Sequence, residues 1–419
     1  MINTVKFNEI KKCSRINLKD KNFFFWRCKC ETPYAFCYSY GIDQNENKAK
    51  EKAVYECLER CFISFDETQQ RQGMIIESYS GVKNKALNPD QIFPFSDNQY
   101  SQKEFRYTKL NSNDRIYWVK GKSLFKKKEI LVPAAAVYCG YQRAKFEPLI
   151  GRANSNGCAI EHSISAAIIN ASLELIERDA VLIRWFNKLS SRKIKPDYLP
   201  DDLKLIIKTT EEDYHTDILI NDLTTDFNIP VISVLLRSDT PPYFVFGAAA
   251  NFSVKEAIIK ALQECLLKRV ALKNLKKYCS RYKNFDYIKD LYQHAEFYGK
   301  NKEYKAFRFL YESPYLSKIE LKRYEAIDID IQTNKEKIEY LKYRCKKIKK
   351  DLIFINLTPK SLESNSRIVR VIIPGLQPLN SEYNARYLGN ERLHALPKQL
   401  GLRELHHKKI SVNQYPHPL

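Results

Sequence analysis

The sequence predicts an α/β or α+β fold, with mixed sheets and packed helices in one large domain. Three observations carry that reading. Strand and helix patterns alternate along all 419 residues, with no segregation into an all-helical or all-strand half. No Gly/Ser/Pro-rich break divides the chain. A hydrophobic fraction of 44% beside 28% charged residues suits a chain able to bury a sizeable core.

In chain order, strands are expected at AFCYSYG, RIYWVKGKSL, EILVPAAAVY, IPVISVLLR, YFVFGAAAN, DLIFINL and RIVRVIIPG, which are short runs rich in β-branched and aromatic residues. Helices are expected over 48–66, 163–187 and 253–277, where apolar residues recur at three and four. A further, Lys-rich helix in NKEKIEYLKYRCKKIKK turns Ile338, Leu341, Cys345 and Ile348 inward and its lysines to solvent. Residues 1–37 read as an N-terminal lead-in, and 38–419 as the domain with a Pro-containing tail at 415–419.

The formal charge of +21 admits nucleic acid, acidic peptide or nucleotide as partners. Nucleic acid is disfavoured. The basic residues are mostly Lys, spread along the whole chain, with no Arg-rich arm and no basic run interleaved with aromatics. No segment approaches the length of apolar chain that a membrane span requires, and the Met1 end lacks a signal-peptide core, so a cytoplasmic protein is expected. The 11 cysteines include no CxxC pair. Cys57, Cys61 and Cys265 sit inside apolar patterns as small hydrophobes, whereas Cys28 and Cys30 share one face of a strand.

The chemistry is concentrated in a repeated spelling, E-x-x-E-R, at Glu56, Glu59, Arg60 and again at Glu174, Glu177, Arg178. Residues three apart lie on one side of a helix, so each pair presents two carboxylates to one neighbour. Around Glu174 the residues Ala167, Ile168, Ala171, Leu173, Ile176, Ala180 and Trp185 are apolar nearly all round the helix. Like charges in such a setting are costly unless compensated, which favours a divalent cation as partner. Mg²⁺ takes carboxylates together with phosphate oxygens, so clustered Glu with Arg and Lys points to a nucleoside-triphosphate site. The third helix adds Lys260, Glu264, Lys268 and Arg269 in comparable places. No G-x-x-x-x-G-K-[ST] loop is present, so this is not a P-loop site.

The segment SNGCAIEHSISAAIINASLELIERDAVLIRWF resembles the central signature of the YcaO family, in which a Ser-Asn-Gly loop precedes a helix ending in E-L-x-E-R-D-A. Residues 41–60, 247–269 and 368–393 resemble further blocks of the family in the right order, and the terminal PHPL resembles the end of azoline-forming members. The resemblance implies an enzyme using ATP and Mg²⁺ to activate a peptide amide. In azoline-forming relatives a Cys, Ser or Thr side chain of a ribosomal precursor peptide attacks the preceding carbonyl, the oxygen is phosphorylated, and a thiazoline or oxazoline results.

Residue by residue, the resemblance implies Mg²⁺ at Glu56, Glu59, Glu174 and Glu177. It implies nucleotide at Asn156, Arg178, Lys260 and Glu264. His417 and the carboxylate of Leu419 would approach the reacting amide if the tail folds back. The expected partners are the precursor peptide and a leader-peptide-binding protein on a separate chain; a homodimer is left open. Lys52, His162, Ala166 and Leu267 depart from residues frequent in the family, respectively Ser, Asn, an acidic residue and Gln. A thioamide- or amidine-forming homologue and a catalytically weakened scaffold subunit are the alternatives.

Overall fold

The computed structural model describes residues 10–16, 20–31, 36–66, 71–126, 128–272, 285–322, 324, 331–402 and 412–419. Three antiparallel sheets organise them. The first joins β1 (Ile10–Ile16), β2 (Phe24–Glu31) and β3 (Phe36–Asp43), so two strands within the segment read as a lead-in pair with the first strand of the expected domain. Helix α1 (Glu46–Phe62) follows at once, its N-terminus capped by the Asn45 side chain accepting from the Lys48 N–H.

The second sheet has the path β4 (Ile75–Ser78), β5 (Arg115–Ser123), β12 (Ile353–Asn356), β13 (Arg367–Ile372) and β7 (Cys158–Glu161), with β6 (Glu129–Pro133) paired to β5. The strand expected through EILVPAAAVY ends at Pro133. Ala134–Ala136 form a 3₁₀ turn instead, because after the proline a run of small residues has no β-branched side chain to hold an extended chain. From β7 the chain enters α2 (Ile164–Asn187), capped by Ser163.

The third sheet runs β11 (Phe244–Ala250), β10 (Val231–Arg237), β9 (Asp217–Asp222), β8 (Arg192–Lys193), with α3 (Asp201–Tyr214) inserted before β9 and α4 (Val254–Leu272) after β11. The rest of the helix expected to 277 lies outside the described residues. Helices α5 (Leu291–Lys300), α6 (Tyr304–Tyr311), α7 (Asn334–Lys347) and α8 (Glu391–Gln399) complete the chain. Among the described residues every pairing between strands of a sheet is antiparallel, so of the two expected classes α+β holds.

Helix α2 is the centre of the largest core. Ile176, Leu182, Ile183, Trp185 and Phe186 are fully buried, and Leu341 and Cys345 of α7 pack against the same cluster. Two glycines let the flanking helices approach their strands. A Cβ on Gly41 would lie 1.9 Å from the Ala49 carbonyl oxygen in α1, and one on Gly247 would lie 2.4 Å from the Ala261 carbonyl oxygen in α4.

Candidate active site

Each sheet ends in an edge strand that leads into a motif helix, and that is where the carboxylates act first. A β-edge leaves backbone N–H groups without a strand partner, and buried ones must be satisfied. Strand β3 is the edge of the first sheet, and its Tyr40 N–H donates to Glu56 Oε2 at 3.2 Å. Strand β11 is the edge of the third, and its Ala248 and Ala250 N–H groups donate to Glu264 at 3.0 Å and Glu177 at 3.3 Å. Just before the edge strand β7, the N–H of Gly157 donates to Glu174 at 3.0 Å, from a left-handed backbone at φ +80° that suits glycine. Glu56, Glu174 and Glu264 therefore hook each helix onto the chain that leads into it, while Glu177 ties α2 to β11.

What remains of each carboxylate faces a shared, charged interior. The Arg178 guanidinium lies 2.7 Å from Glu177, 3.7 Å from Glu174 and 3.9 Å from Glu264, while Lys268 pairs with Glu264 at 2.9 Å. Glu59 enters the same field. Burial first, then the negative charges of Glu174 and Glu56, push its carboxyl up to about 8. Burial also pushes Glu177 upward, against the pull of Arg178. Glu264 goes the other way, because Lys268 and Arg178 together outweigh its burial. Glu56 is additionally held by Arg60 at 2.5 Å on the outer side of α1.

Lys260 stands at the rim, exposed, and surrounding protein with the like charge of Lys52 lowers its pKa. Lys52 itself bridges Asp43 at 2.7 Å and the Gln263 side chain at 3.3 Å, tying α1 to α4. A cleft of about 650 Å³ opens between α1 and β7, walled by Tyr40, Lys52, Tyr55, Glu56, Glu59 and Glu161. A cleft of similar size, about 690 Å³, lies beside Tyr141 and Arg143 and contains none of the motif carboxylates. Its buried acid, Glu147, is already engaged by the Tyr117 N–H, the Tyr141 hydroxyl and the Ala144 N–H, which makes it a structural knot.

The donor set fits a polyanion with its cation. Among the described residues no three His, Cys, Asp or Glu side chains converge tightly enough to hold a metal ion alone. Mg²⁺ does not need that, since it keeps waters and takes phosphate oxygens for part of its shell. Buried polar atoms without a hydrogen bond mark where such a ligand would bind: Glu177 Oε1, Arg178 Nε and Nη1, and Asn156 Oδ1. The Arg178–Glu177 contact supplies charge without hydrogen-bond geometry.

The tail reaches the same neighbourhood. Pro416, His417, Pro418 and Leu419 are all buried. The Tyr298 hydroxyl donates to the Pro416 carbonyl at 2.5 Å and Tyr383 to that of Gln414 at 2.5 Å, while Leu419 joins the α2 core. The His417 Nε2–H donates to the Asn380 carbonyl at 2.8 Å, which leaves Nδ1 as a bare, buried acceptor. Burial, His294 stacked on it at 3.8 Å, and the charges of Arg178 and Lys268 keep this ring neutral.

Two charged side chains of this region escape the motif spelling. Arg370, inside the apolar run RIVRVIIPG, donates to the carbonyls of Val137, Asn156 and Asn154 and so holds the Ser-Asn-Gly loop against β13. Its signal in the sequence is an arginine in an otherwise hydrophobic strand. Arg392 of α8 pairs with Asp179, the residue after the second motif, at 2.8 Å and with Asp226 at 2.5 Å. The adjacent histidines His406 and His407 lie outside the described residues.

A sequence model of the family described as YcaO cyclodehydratase, ATP- and Mg²⁺-binding, matches residues 40–377. The chain belongs to the YcaO family. Its fold is similar to that of a heterocyclase solved in complex with substrate and cofactor, with TM-score 0.79 and 18% identity over 98% of this chain. This chain spans 55% of that protein's length. It is also similar to YcaO from Methanopyrus kandleri bound with AMPPCP and Mg²⁺, with TM-score 0.64 and 16% identity over 88% of this chain and 86% of the other. A chain of the E. coli microcin synthetase McbBCD complex with pro-MccB17 bound has TM-score 0.60 and 14% identity, over 87% of both chains. These likenesses establish the YcaO fold, and the family model names ATP and Mg²⁺ as what the family binds. Among the described residues no helix is long and apolar enough to cross a membrane.

Proposed function

We propose that this chain is the ATP-dependent cyclodehydratase subunit that forms thiazoline or oxazoline rings from Cys, Ser or Thr of a ribosomal precursor peptide. One observation supports the reading above others: carboxylates from three helices and the buried tail share one charged interior, with Arg178 in contact with Glu174, Glu177 and Glu264 and within electrostatic reach of His417. Bound MgATP would supply the phosphoryl group that turns the amide oxygen into a leaving group.

The chain's own residues divide that task. Glu56, Glu59, Glu174 and Glu177 would hold the cation. Arg178 offers buried, fixed donors for phosphate oxygens, where guanidinium geometry suits bidentate binding. Asn156 would orient the nucleotide through its unengaged Oδ1, with Lys260 and Glu264 completing the shell from α4. His417 Nδ1, held neutral and facing no hydrogen-bond donor, would accept a proton from the reacting amide or its attacking side chain, and the Leu419 carboxylate would help position that amide.

A precursor peptide and a leader-binding protein on another chain would be the partners, in the manner that the microcin synthetase complex with its pro-peptide suggests. The test is mass spectrometry of a candidate precursor incubated with this chain, its partner and MgATP. Loss of one water per ring, dependent on ATP, is the expected result. Replacement of an amide oxygen by sulfur, in place of ring-forming water loss, would favour the thioamide reading. Peptide binding without nucleotide turnover would favour a scaffold.

A further inference from the structure

The proposed chemistry leaves one cysteine cluster unused, and it lies on the opposite face of the first motif helix. Cys28 and Cys30 are two apart on β2 and so share a face; Cys57 and Cys61 are four apart on α1 and share another. The two faces pack together in one buried cluster. Within it the Cys30 and Cys61 sulfurs stand 2.9 Å apart, and the Cys30 thiol also donates to the Cys57 carbonyl at 3.1 Å. Cys13 lies directly across from Cys28 in the β1–β2 register.

We propose that Cys30 and Cys61 are a disulfide-forming pair that covalently ties α1 to β2. A disulfide requires the sulfurs to close to about 2.05 Å, an approach of under about 1 Å from the observed contact. Metal ligation fits less well. Sulfurs bound to one tetrahedral zinc each sit about 2.3 Å from the ion, which spaces them on the order of 3.8 Å apart. No metal-holding group is present among the described residues.

The reaction is a two-electron oxidation. Cys61, 5% exposed against 0% for Cys30, meets a hydroperoxide first. Its sulfur attacks the O–O bond, and a sulfenic acid forms as water or alcohol leaves. Cys30 sulfur then displaces the sulfenic oxygen as water, giving the S–S bond. Because Glu56 and Glu59 ride on the same helix, the bond fixes the carboxylate-bearing face relative to the sheet behind it.

The experiment uses the full chain, reduced and then oxidised with hydrogen peroxide, after which remaining thiols are alkylated and peptides mapped without reductant. The expected result is loss of alkylation at Cys30 and Cys61 together, with their peptides joined, and a higher thermal midpoint that dithiothreitol reverses. In Cys61→Ser the Cys30 peptide should remain alkylated. Alkylation of both cysteines in the oxidised wild type would overturn the proposal, as would a Cys13–Cys28 link as sole product. Copurified zinc, one per chain, whose removal is needed before Cys30 and Cys61 react, would overturn it in favour of a metal site. The wild-type comparison stands even if the variant fails to fold.

Discussion

At the scale of single residues, the site stores carboxylates in the wrong protonation state for holding a cation. Burial and the neighbouring acids hold the Glu59 carboxyl at about 8, so near neutral pH it retains its proton until a cation arrives. Ligation needs the carboxylate, and binding must therefore expel protons. MgATP binding followed calorimetrically at pH 7, in buffers of different ionisation enthalpy, should show net proton release on the order of one per site. A buffer-independent enthalpy would remove Glu59 and Glu177 from the cation's shell. The sign for stability follows: the folded pKa of Glu59 is raised, so its contribution is present below the ordinary carboxylate range and is lost as pH rises through about 8. The thermal shift given by MgATP should grow over that same interval. Glu177→Gln provides the matching substitution. An amide of the same shape keeps an acceptor for the Ala250 N–H, so the midpoint should hold within about 1 kcal/mol of wild-type stability while ATP hydrolysis is lost.

At the scale of elements, the site is built where three sheet edges present N–H groups to glutamates, and the closeness of helix to strand is what brings them within reach. Gly41 and Gly247 set that closeness for α1 and α4. Gly247→Ala should cost about 1–3 kcal/mol by denaturant unfolding, because the new methyl meets backbone of α4 that cannot step aside; an unchanged midpoint would mean that α4 sits on β11 more loosely. The motif helices were legible because their apolar period and their charges are local in sequence. The edge pairing was not: Tyr40–Glu56 and Ala248–Glu264 are both sixteen apart, and nothing in the spelling says that a carboxylate will bond a strand N–H rather than a cation. Short strands such as β7 and β8 lacked a long enough pattern of their own and depend on partners far along the chain. Arg392 was invisible for the same reason. Its partners Asp179 and Asp226 lie far upstream, and only the fold brings them together. Arg392→Met, which leaves two acids behind, should cost about 3–5 kcal/mol, since an unpaired buried charge is what such a change exposes.

At the scale of the whole molecule, the C-terminus is a structural member, and a pair of histidines holds it. His294 of α5 faces the His417 carbonyl through Nδ1 at 3.1 Å and the Ser381 carbonyl through Nε2 at 3.1 Å, and its ring stacks on that of His417. Burial, outweighing those two carbonyls, pulls His294 down to about 4, and His417 is lowered as well. A histidine whose folded pKa is depressed leaves the unfolded chain to bind protons first. Its stabilisation is complete above about 6.5 and is lost as pH falls from there to about 4, which for His294 amounts to roughly 3 kcal/mol. The raised carboxyls of the site run in the opposite sense, so the wild-type profile alone does not isolate the clamp. The difference between wild type and His294→Gln does: Gln keeps a donor for one carbonyl but does not titrate, and its stability should fall less steeply than that of wild type between pH 6.5 and 4. Parallel profiles would show that the histidines do not titrate with unfolding. The consequence for function is directional, because only a docked tail keeps His417 within electrostatic reach of Arg178. Amide hydrogen exchange of residues 412–419, corrected for its intrinsic pH dependence, should therefore be faster at pH 5 than at pH 8, and ring formation at saturating MgATP should fall over the same range.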